Sequence, residues 1–467
     1  METVNSIAKQ LLLGGVCAFL LSSLPASAKE VNIENFGAKS GAPDNQAAFD
    51  AAVKAANTSQ PAIVDVPAGS FNHSGVIYLK GASLKGLAGI QSSVVATNSQ
   101  QGTINLTGAN TFIKGLVVEY ETPSPSSSPL ASGVWVHAAN NALVTQITVN
   151  KTSGDGIYID GQSLGMVDSN VISNQSMAAT NAGIHAVNEG KLVPIPHQPG
   201  SYYVETCSIT RNNLQVSGIG ILAHSSMEVE FIQNTIDGKG TQKGPGIGSV
   251  QNAVVFALAN TMRNLPAGAY VEQNPTTIGW ISPVTVGGGN TISNCGRATS
   301  GAVVSLNPTN LILVADTISN CQGDGYLVTS PNKNQNTYSL AMLVDNNITT
   351  VGNNGYDLSN IYAAVVLGNI QNTGAAALAY TPLDSTPLIA YLNTSNCGVK
   401  DVHNNPPPGG HNAVIDIHAS PATVTVENNT YTGPAVNGLD YFVYDPHAGT
   451  QSTGNTTNTA LPSFFGP

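Results

Sequence analysis

His137, Asp160 and His185 recur at intervals of about two dozen residues, each within a short phrase led by glycine: SGVWVH from Ser132, DGIYID from Asp155 and AGIHA from Ala182. A carboxyl and an imidazole on one surface can deliver a proton to a glycosidic oxygen and remove one from a sugar carbon. Asp160 and His185 are the candidate acid and base for such a step. Trp135, Tyr158 and Tyr270 offer rings on which the apolar face of a sugar can lie, and His137 and Glu272 add polar contacts beside them.

The alternation within each phrase has a period of two, so these residues sit on strands. With Val134, Ile157 and Ile184 pointing inward, Trp135, Tyr158 and His185 point outward one above another, followed by Gly220, Gly248 and Tyr270. A second outward column, two residues on, holds His137, Asp160 and Glu272. Parallel neighbours keep such columns about 4.8 Å apart, which makes a strip of rings and bare glycines. Two irregular stretches, TPSPSSSP from Thr122 and KLVPIPHQPG from Lys191, border the strip and are placed to wall it. The competing reading is a ladder of outward aromatics packed on one another with no ligand.

A second constellation comes from aligning Ile209, Ile236 and Met262, which stacks Thr210, Asp237 and Arg263 outward with Arg211 beside them. An acid and a guanidinium on adjacent coils can bind and neutralise a uronate carboxylate. As an exposed ion pair the same residues would be worth under about 1 kcal/mol.

These phrases belong to a repeat that runs through most of the chain. Glycine-led phrases continue at SGIGIL, PGIGSV, AGAYV, SGAVV, DGYLV and NGYDL, and an asparagine-rich partner phrase recurs as NVISN, NTIDG, NTMRN, NTISNC and DTISNC. One such unit cannot bury its apolar face alone and must stack on its copies. The predicted fold is therefore all-β, a single-stranded parallel β-helix. Asparagine suits its turns, because the amide can form ladders and bond the backbone at a sharp bend.

One helix is expected, after Asp44, where Phe49, Ala52, Val53 and Ala56 fall at helical spacing. It would cover the exposed apolar end of the first coil. The segment VNIENFGAKSGAPDNQAAFDAAVKAA followed by AIVDVPAGSFN resembles the opening of the pectate-lyase-like superfamily, through Phe36-Gly37-Ala38, Asp44, Ala48-Phe49, Ala51-Ala52, Pro67, Gly69 and Phe71. Ser40 and Asn45 depart from that pattern, where many members carry acids. The resemblance implies a right-handed parallel β-helix, with a cap over residues 29–75 and the solenoid reaching about residue 450. It also implies a scaffold shared by pectin-cleaving and other polysaccharide-acting enzymes and by tailspikes, so it leaves the chemistry open. The paired aspartates and GHG phrase of polygalacturonases are absent. Tyr444-Asp445-Pro446-His447 is similar to a phrase of alginate C5-epimerases, but Phe442 stands where that family has tyrosine, and the chance reading is preferred.

Composition narrows the classes further. A formal net charge of −11 with 16 lysines and arginines lacks the basic footprint of a nucleic-acid binder. Lys9, the apolar run Leu11–Leu21 and Ala26-Ser27-Ala28 read as a signal peptide over residues 1–28, too short to span a membrane. The mature chain is then secreted or periplasmic, a single domain ending in a polar tail over 451–467. Cys295 and Cys321 fall at equivalent places in successive phrases; stacked thiols are preferred over a disulfide there, since in-register parallel neighbours seldom have bridging geometry. No cofactor or metal site is indicated, and calcium would enter only with substrate carboxylates supplying part of its shell. The resulting expectation is an exported lyase or glycoside hydrolase acting on an acidic polysaccharide, with a non-catalytic glycan-binding β-helix as the alternative.

Overall fold

The computed structural model describes residues 28–465, apart from 88–90, 162–163, 175–177, 179, 188–205, 227, 241–242, 274–283, 297–300, 307–309, 330–339, 383–387, 398–412, 418–423, 433–438, 446–450 and 459–460. Residues 1–27 of the expected signal peptide, the stretch Lys191–Gly200 and Pro446-His447 lie outside the described residues.

Every strand pairing that positions the site is parallel, and the chain winds as a solenoid with three strands per coil over most of its length. Two of the three belong to a 27-stranded sheet and the third to a 15-stranded sheet. The latter carries the glycine phrases, including the strands Val134–His137, Ile157–Asp160 and Ala182–Val187. Their leading glycines have a steric cause. A Cβ on Gly156 would stand 2.5 Å from the Gly183 carbonyl, and one on Gly183 would stand 2.8 Å from the Gly220 carbonyl. On these coils the backbones approach too closely at this point for a side chain, whereas Ala269, Ala302 and Ala377 take the same column further along. The repeat legible in the sequence is thus the trace of one backbone contact copied from coil to coil.

Inward positions fill a continuous core of Val, Ile, Leu and Ala that runs from the helix to the last coils. At one corner the asparagines of the partner phrase form a buried ladder. The amides of Asn170, Asn212, Asn234 and Asn260 each donate to the Oδ1 of the next residue in the series, at 2.9–3.1 Å, and each also donates to a backbone carbonyl. Asn290 continues the series to Asp316, and the Asp316 N–H donates to Asn346. The residue before most of these lies in the left-handed region, as Arg211, Gln233, Ala259 and Ala315 do, so the corner turns sharply while its polar groups stay paired.

The single α-helix among the described residues is Gln46–Ala56, with Ala48, Phe49, Ala52, Val53 and Ala56 buried on the first coil. The N-cap position falls on Asn45 and not on the expected Asp44, but Asp44 Oδ1 still accepts from the Gln46 N–H at 2.9 Å from one residue further out. The two departures from the superfamily pattern are absorbed by the turn: Asn45 Oδ1 accepts from Lys39 N–H, and Ser40 Oγ accepts from Ser70 N–H. Beyond residue 450, Thr456–Thr457 and Phe464–Phe465 pair in parallel with the preceding coil, so this segment extends both sheets. Cys295 and Cys321 are joined as a disulfide with Cα atoms 4.6 Å apart, contrary to the expected pair of free thiols. Stacking at equivalent positions brings the two sulfurs close enough to bond even in register. Cys207 and Cys397 are buried thiols.

Candidate functional site

Register places Trp135 against Tyr158 and Tyr158 against His185, so the first outward column begins as its alternation requires. It then departs from expectation. His185 pairs with Leu222, followed by Gly248 and Val271. Gly220 instead lies in the glycine column, its phrase being offset by two residues because Ile221, and not Ile219, stacks on Ile184. Tyr270 pairs with Ile247 and Glu272 with Ser249, both inward positions. Tyr270 and Glu272 are therefore buried inside the solenoid and do not line the strip. A one-residue slip exchanges the two faces of a strand, and the turn at Gly268 supplies it.

Inside, the Glu272 carboxylate accepts hydrogen bonds from Thr285 Oγ1 at 2.8 Å and Ser305 Oγ at 3.0 Å. Burial, and then the charge of Glu272, push the Tyr270 phenol well above its ordinary range. These two residues hold a polar patch within the core.

On the outer face, Asp160 is the centre of a tight group. Its Oδ1 accepts from His137 Nδ1–H at 2.7 Å and from the Trp135 indole N–H at 3.2 Å. Alternation places all three on one face, since His137 pairs with Asp160 across adjacent strands and Trp135 lies two residues before His137. The Trp135 and His137 rings lie tilted against each other, 4.7 Å between centroids. The Asp160 side chain is 9% exposed and that of His137 is 49% exposed. With Nδ1 donating to the carboxylate, His137 presents Nε2 to solvent, where it can take or give a proton. The buried carboxylate holds the ring in this orientation.

His185 forms a second such pair, though not with Asp160. Its Nδ1 meets Asp155 Oδ2 at 3.1 Å, while Asp155 Oδ1 accepts from the Ala182 N–H. Its ring stands edge-on to Tyr158, 5.1 Å between centroids. Asp155 was not among the expected site residues. Its signal was the acid just before Gly156, which the glycine column brings against the turn before His185. His224 follows Asp160 and Val187 in the second column. Burial, and then the neighbouring charge of His185, lower its pKa.

The strip thus carries two imidazole–carboxylate pairs on adjacent coils. The expected partners Asp160 and His185 serve different pairs. The loop from Thr122 borders them as its sequence suggests: Ser126 N–H donates to the Ser153 carbonyl, and the Asn181 amide donates to the Ser126 carbonyl. That ties the loop to the turns preceding the site strands.

The second constellation separates into two ion pairs. Ile209 stacks on Phe231, while Ile236 stacks on Met262, so Arg211 and Asp237 belong to different strands of the coil. Arg211 grips Asp168 through Nε at 2.8 Å and Nη2 at 2.6 Å, with Thr210 Oγ1 also donating to that carboxylate. Arg263 Nε donates to Asp237 Oδ2 at 3.0 Å, and Asn264 and the Lys239 N–H donate to Oδ1. Burial raises the Asp237 pKa, but these hydrogen bonds and the Arg263 charge outweigh it and hold the carboxyl below its usual range. Both carboxylates are engaged within the protein. Among the described residues no three His, Cys, Asp or Glu side chains converge as a metal-ligand group.

Residues 55–194 match the family described as a right handed beta helix region. No curated protein matches the sequence. Among solved structures, a mutant tailspike protein of E. coli bacteriophage HK620 in complex with a pentasaccharide aligns with a TM-score of 0.54 at 12% identity, covering 92% of this chain and 80% of the tailspike. A hyperthermoactive exopolygalacturonase from Thermotoga maritima aligns with a TM-score of 0.39 at 11% identity, covering 87% of this chain and 92% of the enzyme. The surface protein and adhesin PfbA of Streptococcus pneumoniae aligns with a TM-score of 0.40 at 12% identity, covering 94% of this chain and 99% of the adhesin. The family match and the parallel three-strand coil agree, and the chain is a right-handed parallel β-helix protein, of the fold that its resemblance to the pectate-lyase-like superfamily implied.

Proposed function

We propose that this protein is an exported enzyme that cleaves an acidic polysaccharide laid along the strip of Trp135, Tyr158 and His185. The observation that carries the proposal is the pair His137–Asp160, a solvent-facing imidazole on a nearly buried carboxylate, braced by the Trp135 indole. Asp160 has both neighbours' N–H groups on one oxygen and little access to solvent, so it suits the orienting role, and His137 becomes the proton carrier. His185, held by Asp155, is the second proton-transfer group. The two histidines lie two coils apart and two residues out of step, about 12 Å between Cα atoms at ordinary parallel spacing, which leaves room for one sugar ring over Tyr158. In an elimination, one imidazole takes the proton at C5 of a uronate, the bond from C4 to the glycosidic oxygen breaks, and the other imidazole protonates the departing oxygen. In a hydrolysis, the same groups activate water and protonate the leaving oxygen.

The test is a screen of the purified protein on pectins, alginate, rhamnogalacturonan and neutral glucans, following both new reducing ends and unsaturated uronate absorbance. On the responsive substrate, His137→Ala and Asp160→Asn should each lower turnover about a hundredfold or more with the fold intact. Trp135→Ala should weaken oligosaccharide binding by about 1 kcal/mol. Full turnover in His137→Ala and Asp160→Asn would rule out this strip as the catalytic site. Binding that depends on Trp135 without turnover on any substrate would replace the enzyme with a glycan-binding module.

A further inference from the structure

The larger sheet changes character partway along the solenoid. On the strand Glu228–Ile232 the outward positions begin with Glu228 and Glu230, as polar outer faces do. The next strand in register replaces Glu230 with Phe256. From there the central outward column runs Phe256, Val286, Ile312, Met342, Val365 and Ile389 over six successive coils. The outward positions on either side hold valine, leucine, alanine and glycine, with Asn310 and Tyr391 the two polar exceptions. These side chains are partly exposed where the residues between them are buried, and Ile389 is 37% exposed. No charged side chain lies among the described residues of this face. The strands concerned, such as Val254–Leu258 and Asn310–Val314, are thus apolar on both faces, although only one face packs on the core.

We infer that this face is covered by the same face of a second copy of the chain, forming a two-fold symmetric dimer. Three arguments favour a second copy as the occupant. The face is five residues wide and six strands deep, about 16 by 29 Å, or on the order of 500 Å² per copy. Two copies together bury roughly 1,000 Å², the size at which specific interfaces begin. Secondly, each chain carries a formal charge of −11, and contact through this face sets no like charges directly against one another, so the opposing repulsion is only the long-range part that salt screens. Thirdly, the patch is a flat ladder of like residues at constant spacing, and such a surface is complementary to its own image about a two-fold axis. It also lies on a different sheet from His137 and Asp160, so dimerisation leaves the strip open.

The experiment is size-exclusion chromatography with light scattering on the full chain, from about 1 to several hundred micromolar, at low and moderate salt. The wild-type protein should pass from monomer to dimer within that range. The dimer should strengthen with added salt, because screening removes the repulsion between acidic copies without weakening an apolar contact. Met342→Lys, at a position already facing outward, should weaken dimerisation at least tenfold while circular dichroism and melting temperature stay unchanged. Ile312→Thr keeps a β-branched residue in the strand and should weaken it by a smaller factor, which covers the case in which the lysine variant does not fold. A wild-type chain that stays monomeric throughout, or a dimer of undiminished affinity in both folded variants, would overturn the inference. Binding of the monomer to neutral phosphatidylcholine vesicles through this face would overturn it as well, assigning the surface to lipid.

Discussion

Asp316 occupies a rung of the buried ladder that is otherwise built of asparagine. An asparagine there would offer one oxygen and an amide NH2, whereas a carboxylate offers two acceptor oxygens and no donor. Burial pushes the Asp316 carboxyl up to about 6, against the opposing pull of hydrogen bonds from Asn290 and the Tyr326 hydroxyl. In the unfolded chain the carboxyl returns to 3.8, so the folded state holds the extra proton between these values. Its contribution to stability is complete below about pH 4 and is lost as pH rises through 6. Asp324 acts in the same direction, pushed up to about 7 by burial and then by the charge of Asp357. Asp316→Asn should therefore stabilise the protein at pH 8 by on the order of 2–3 kcal/mol, with the gain vanishing near pH 4. Denaturant unfolding at the two pH values measures this, and an equal effect at both would show that the carboxyl does not titrate as described. Asp160 and Asp155 teach a complementary lesson about single residues: both were present in the glycine phrases, but which histidine each would meet depends on side-chain direction across coils.

Among the elements, the ladder and the helix do different work. The Asn234 amide donates to the Ile209 carbonyl and to Asn260, while its Oδ1 accepts from the backbone and side chain of Asn212. Asn234→Ala would leave several buried polar groups unpaired at once, and each costs about 1–3 kcal/mol. A loss of about 3 kcal/mol or more in denaturant unfolding is expected, and a loss below 1 kcal/mol would mean that water replaces the amide. The helix Gln46–Ala56 acts at the end of the stack, where the first coil has no neighbour. Phe49 is fully buried beneath it, so Phe49→Asp places a carboxylate in the core and should lower the melting temperature of the whole solenoid by ten degrees or more. An unchanged melting temperature would show that the helix does not close the stack. Both elements were legible in the sequence, the helix from its spacing of apolar residues and the ladder from the recurring asparagines. The disulfide at Cys295 and Cys321 was legible only as a proximity.

On the scale of the whole molecule, the sequence alone determined the fold class, because a short period repeated in phase can be satisfied only by stacking. It also determined that His137 and Asp160 share a face with Trp135 and Tyr158, since alternation within two adjacent, equally built phrases leaves no other arrangement. It did not determine register beyond them. SGIGIL and AGAYV begin with a glycine like the rest, yet the turns before them differ in length, and only packing selects which residue of each phrase meets the core. That choice moved Gly220 into the glycine column and sent Tyr270 and Glu272 inside. The ion pairs follow the same rule: Arg211 meets Asp168, 43 residues away, because a corner stands between it and Asp237. The apolar outer face from Phe256 to Ile389 was equally hidden, since in a strand apolar at every position the sequence carries no mark of which side faces out. Local pattern fixes what a strand can bury, and only the closed coil decides what it does bury.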